Sequence, residues 1–146
     1  MIRQISYRLS LPLRLCVSLL LFVSMSQSVA SAADTVTYEG PWHTINRKLD
    51  GTMTCIVTRL DGERWQGRFY GTWQGVNFDH TVPFTGPPDD LHGAANIDGA
   101  DYQWTGKIAS GSPATFKGNF GGTRYNGYFD LKETQRTAVR PKSTGQ

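Results

Sequence analysis

The sequence predicts an all-β fold, an antiparallel up-and-down barrel or strongly curled meander sheet of about eight strands. Three observations carry this expectation. Large apolar or glycine residues alternate with polar ones through most of the chain after residue 33, the period of a strand with one buried face. WQGRFYGTW (65–73) is the clearest case, with Trp65, Gly67, Phe69, Gly71 and Trp73 on one side and Gln66, Arg68, Tyr70 and Thr72 on the other. Dipeptides suited to tight hairpins, Asp50-Gly51, Asp61-Gly62, Asp98-Gly99 and Gly121-Gly122, punctuate the pattern. No segment beyond residue 32 keeps a helical period for ten residues.

Taken in order, the segments are about 37–45, 52–60, 63–73, 76–85, 91–97, 101–108, 114–120 and 123–132. The first turns Tyr38, Gly40 and Trp42 inward, and the second Met53, Cys55 and Val57. The third is the Trp65–Trp73 run, and a break near Gln74-Gly75 separates it from the fourth, which brings in Val76, Phe78, His80, Val82 and Phe84. GPPDD (86–90) ends that strand, because proline cannot donate to a ladder. The fifth turns in Leu91, Gly93, Ala95 and Ile97, and the sixth Tyr102, Trp104, Gly106 and Ile108. After SGSP (110–113), the seventh adds Phe116, Gly118 and Phe120, and the eighth Tyr125, Gly127, Phe129 and Leu131. Aromatic-x-Gly-x-aromatic recurs at YEGPW (38–42), WQGRF (65–69), FYGTW (69–73), FKGNF (116–120) and YNGYF (125–129). On the concave side of a curled sheet large rings must lie over gaps, and glycine supplies the gap and lets the strand bend.

The ends read differently. Arg3, Arg8 and Arg14, the eleven-residue run LCVSLLLFVSM (15–25) and Ala30-Ser31-Ala32 form a secretory signal pattern over residues 1–32. The apolar run is shorter than the about twenty residues a membrane span needs. Cleavage is expected after Ala32, with Ala30 the alternative, leaving a periplasmic or extracellular chain with no transmembrane span. Residues 33–133 then form one domain, and the polar segment TQRTAVRPKSTGQ (134–146) a disordered tail.

The chain carries 15 Lys+Arg against 12 Asp+Glu, but the three arginines of the signal account for the whole excess. Three more basic groups lie in the tail, so residues 34–133 hold nine basic and twelve acidic groups. A mildly acidic body lacks the clustered cations that neutralise phosphates, which argues against nucleic acid as a partner. Cys16 leaves with the signal, and Cys55 alone cannot form an internal disulfide.

Candidate sites follow from the faces. Trp42, Trp65, Trp73, His80 and Trp104 fall inward and would line any cavity inside a barrel. Met53, Cys55 and His80 also fall inward, and sulfur with imidazole suits copper or zinc. However, no CxxC or HxxxH spacing supports a metal, and a buried cysteine is ordinarily a small core hydrophobe. No metal or other cofactor is therefore expected. Arg68, Tyr70 and Tyr128 point outward and form a candidate interaction face. Asp79 and His80 are neighbours on opposite faces of a strand and cannot pair. With no GxxxxGK[ST] or GxGxxG and no nucleophile beside a base, nothing identifies an enzyme.

The pentads resemble those of MORN repeat proteins, yet their starts at 38, 65, 69, 116 and 125 share no period. The succession of Gly-rich aromatic strands is similar to avidin-like and lipocalin-like barrels in architecture. NRKLDGTMTC (46–55) and FGGTRYNGYFDLKE (120–133) resemble a group of small exported bacterial proteins of unknown function, a likeness that implies export and no activity. The function expected is a non-enzymatic module binding an unknown small ligand in an aromatic and glycine-lined interior. The alternative is a structural or interaction component of the cell envelope that binds a protein through an outer sheet face. An enzyme would instead require convergent polar groups with shifted pKa values in one pocket.

Overall fold

The computed structural model describes residues 34–137. The expected signal, 1–32, and positions 138–146 of the expected tail lie outside the described residues. Eight strands run β1 Thr35–Thr44, β2 Asp50–Asp61, β3 Arg64–Trp73, β4 Val76–Thr85, β5 Leu91–Ile97, β6 Ala100–Ala109, β7 Thr115–Gly122 and β8 Asn126–Thr137, with no helix among the described residues. Each strand pairs antiparallel with its sequence neighbours, and β1 pairs with β8, so the meander closes into a barrel. Closure depends on long-range pairing that alternation does not reveal. It also draws residues 134–137 into β8, where Thr137 lies opposite Thr35 and Gln135 opposite Thr37. The expected tail boundary at 133 is thus corrected by four residues.

The cross-strand register explains the aromatic and glycine pentads. In β7 and β8, Gly118 faces Phe129 while Phe120 faces Gly127, so the two pentads run antiparallel with one ring of each opposite the partner's glycine. Trp42 faces Gly51 on β2, Phe84 faces Gly93 on β5, and Tyr102 faces Gly122 on β7. The fit is close: a Cβ at Gly106 would come within 2.6 Å of the Phe116 ring, and one at Gly122 within 2.6 Å of the Tyr102 ring. Ring and gap are therefore specified together across the ladder.

Two expected turns are overturned by the same requirement. Asp50-Gly51 and Gly121-Gly122 lie inside β2 and β7, because Gly51 and Gly122 make room for Trp42 and Tyr102 instead of reversing the chain. The reversals fall at 45–49 and 123–125. Asp98-Gly99 does turn, with φ of 50° and 77°, and Gln74-Gly75 turns with 47° and 78°. Positive φ at both central residues is the two-residue hairpin geometry that matches strand twist.

The interior is an aromatic cluster centred on Phe69, whose ring lies 4.8 Å from Trp104, 5.5 Å from Phe129 and 6.2 Å from both Phe84 and Phe116, centroid to centroid. Tyr38, Val82, Leu91 and Leu131 close around it and are buried. Outward positions of the strands are mainly Thr, Gln, Asn, Asp, Lys and Arg. This apolar-inside, polar-outside arrangement is the reverse of a lipid-facing barrel. No helix among the described residues is long and apolar enough to cross a membrane.

One seam interrupts the wall. β4 and β5 are paired only at Phe84–Gly93 and Thr85–His92, whereas β3 and β4 pair along their full length. Pro83 marks the break: its carbonyl points at Gly93, since a Cβ on that glycine would sit 2.5 Å from the oxygen, but proline has no N–H to carry the ladder further. Beyond it β4 and β5 diverge toward the end of the barrel that holds the 45–49, 74–75, 98–99 and 123–125 turns.

Candidate functional site

The two ends of the barrel are built differently. The end carrying the 62–63, 86–90 and 110–114 connections is filled by Val36, Val57, Phe84, Leu91, Ala114 and Leu131, all buried. Toward the other end the inward positions include Gly51, Gly71, Ala95, Gly122 and Gly127, and small residues with a parted β4–β5 seam leave space. A pocket of about 540 Å³ opens there, with Trp42, Met53, Phe69 and Trp104 deep inside and Trp73, Val76, Arg124 and Tyr125 nearer the rim. Phe78 and His80 from β4 and Ile97 from β5 bring both sides of the seam into its wall. The volume lies within the range of small-ligand sites, which are mostly apolar with a few placed polar groups.

Four of the five inward candidates, Trp42, Trp73, His80 and Trp104, line this one pocket. Trp65 does not. It sits at the filled end, where its indole N–H donates to the Gly86 carbonyl at 3.0 Å and the Arg59 guanidinium lies 5.1 Å above its ring. The separation is a matter of chain geometry, since Trp65 and Trp73 are eight residues apart on one strand, roughly 26 Å at 3.3 Å per residue.

The polar atoms of the pocket fall into two groups. Several acceptors on its wall are already engaged: Thr44 Oγ1 accepts from the Leu49 N–H at 2.9 Å, Asn77 Oδ1 from the Thr72 hydroxyl at 3.1 Å, and Asp79 from Arg68. Two donors are not. Among the described residues, Trp42 Nε1 and Trp104 Nε1 are the buried side-chain polar atoms without a hydrogen-bond partner. Their residues are only 9% and 7% exposed, and a buried donor without an acceptor costs about 1–3 kcal/mol. Of the ionisable groups on this wall, Tyr102 has its pKa raised, chiefly because burial disfavours the phenolate. His80 is half-buried beside Phe78, the rings 6.1 Å apart and inclined by only 18°.

The sulfur and imidazole set is not brought together as a ligand sphere. Cys55 and His80 both lie opposite Phe69, on β2 and β4, so the Phe69 strand stands between them and their backbones are about two strand spacings, roughly 9.6 Å, apart. No group of three or more His, Cys, Asp or Glu among the described residues is placed to hold a metal ion. Cys55 is fully buried, and burial pushes its thiol pKa well up. Since the thiolate is the reactive form, Cys55 is expected to resist iodoacetamide in the native protein and to react on unfolding. Peptide mass mapping of native and denatured samples checks this, and equal modification in both contradicts it.

The outward candidates also separate. Arg68 is held by Asp79 in a two-pronged contact, Nε to Oδ1 at 2.9 Å and Nη2 to Oδ2 at 2.6 Å, with its guanidinium 5.3 Å from the Tyr70 ring. Tyr128 lies against His43, with ring centroids 5.1 Å apart and planes tilted by 34°, and not near Tyr70. Tyr70 shares its row of the sheet with Thr54 and Glu39, whereas Tyr128 shares its row with His43, four residues or about 13 Å further along β1. A broad depression of about 950 Å³ includes Tyr70 and Asp79 together with Glu39, Asn77 and the threonines Thr52, Thr54 and Thr72; it lacks the apolar enclosure of the end pocket.

The Arg68 pairing lowers the Asp79 pKa from its ordinary 3.8, through the hydrogen bond first and the charge second. A depressed folded-state pKa contributes stability above the unfolded value that is lost as pH falls through the folded one. Arg68→Met is therefore expected to move the Asp79 titration upward in a carboxyl-carbon NMR experiment. An unchanged midpoint would show that the pair does not set it.

No protein-family model matches the chain, and neither a curated protein nor a solved structure shows significant similarity to it.

Proposed function

We propose that the protein is a non-enzymatic binding module that takes a small ligand into the open end of its barrel. The observation that carries this reading is one pocket, about 540 Å³, lined by Trp42, Trp73, His80 and Trp104, in which two buried indole N–H groups have no protein acceptor. Aromatic walls supply apolar contact area and the seam supplies a side opening, while buried apolar side chains fill the opposite end. The signal pattern of residues 1–32 supports a periplasmic or extracellular setting for this binding.

Native mass spectrometry of the protein, purified from an export-competent host, tests the reading. The expected result is a native mass above that of the chain, with the excess lost on denaturation. A native mass equal to the bare chain would count against it.

A further inference from the structure

Resting on the reading of the open end as a ligand site, we infer that its ligand is a flat, unsaturated ring system that presents a hydrogen-bond acceptor inward. Two independent features define this chemistry. The first is the sign of the unmet hydrogen-bonding capacity. An indole N–H can only donate, and Trp42 and Trp104 both lack an acceptor. A ring nitrogen or carbonyl oxygen meets this need, whereas a group that only donates does not.

The second feature is ring orientation. Trp104 is inclined by 30° to Phe69 and by 34° to Phe120, with centroids 4.8 and 5.4 Å away. On β4, Phe78 and His80 are inclined by 18°. Phe78, His80 and Phe120, the half-buried rings of these sets, line the pocket, and on their faces a planar ligand gains offset stacking that a branched aliphatic chain cannot.

Three probes of similar size separate the possibilities: quinoline, whose ring nitrogen accepts; naphthalene, which does neither; and indole, which donates. Binding to the full chain is followed by intrinsic fluorescence and by the indole N–H resonances in nitrogen–proton correlation spectra. Trp65, already bonded to Gly86, serves as an internal reference at the other end. Quinoline is expected to bind about tenfold more tightly than naphthalene or indole, the factor one hydrogen bond of typical strength provides, and to shift the Trp42 or Trp104 N–H downfield while Trp65 stays in place. Trp42→Phe and Trp104→Phe keep an aromatic ring and remove a donor, so one or both should reduce the quinoline preference. The wild-type resonances test the inference even if a variant does not fold. Equal affinities for quinoline and naphthalene, with the pocket tryptophans perturbed, would overturn the acceptor inference and leave the ligand site standing. No binding by any probe, or perturbation of Trp65 alone, would overturn both.

Discussion

Gly118→Ala is expected to destabilise the protein by about 3 kcal/mol or more, enough to abolish cooperative folding if the wild type is of ordinary stability. A Cβ at this position would lie 2.1 Å from the Thr105 carbonyl oxygen and 2.4 Å from the Phe129 ring. The first obstacle is backbone of the neighbouring strand β6 and the second a fully buried ring packed against Phe69 and Phe116, so neither can yield locally. Gly121→Ala is the matched control, because its nearest neighbour would be the Asn126 amide oxygen at 3.2 Å, and its cost is expected to stay near or below about 1 kcal/mol. Urea unfolding of the two variants measures the contrast. Similar midpoints would mean that ring and gap pairing does not shape this barrel.

Phe69→Ala is expected to cost about 3–5 kcal/mol, the range for removing a large buried aromatic. Phe69 is 1% exposed and contacts four other rings contributed by β4, β6, β7 and β8. It also forms part of the pocket floor, so the cavity left behind would join the pocket. The variant should therefore unfold at lower urea concentration and, where still folded, bind aromatic probes with altered selectivity. A loss below about 1 kcal/mol would place the centre of the core elsewhere.

The faces of the strands were readable from alternation because each strand needs one apolar side, and that requirement is local. Phe69, Phe84, Trp104, Phe116 and Phe129 are all buried as the pattern implies. Turn positions were less readable, for a physical reason: Gly51 and Gly122 look like turn glycines, yet their roles are set by Trp42 and Tyr102 on neighbouring strands. Asp98-Gly99 shows the same local chemistry without a ring opposite it, and there the chain does turn. The candidate site was partly legible. Inward placement selected Trp42, Trp73, His80 and Trp104, but which end of the barrel is open depends on the seam at Pro83 and on side-chain sizes summed over several strands. The exclusion of Trp65 was available in the sequence, since eight residues along one strand put it at the far end from Trp73. The unmet indole donors were not available, because partnership of a buried N–H depends on atoms brought together only by closure of β8 on β1.

If the open end is the ligand site, a bound molecule touches Trp42, Trp73 and Trp104 and leaves Trp65, at the filled end, alone. Labelling with 5-fluorotryptophan gives each of the 4 tryptophans its own fluorine resonance, and titration with 8-anilinonaphthalene-1-sulfonate supplies a planar aromatic probe. The expected result is that the Trp42, Trp73 and Trp104 signals move together with one saturation curve while Trp65 stays fixed. Movement of Trp65, or saturation of the dye signal with the three pocket resonances unchanged, would contradict a ligand site at this end of the barrel.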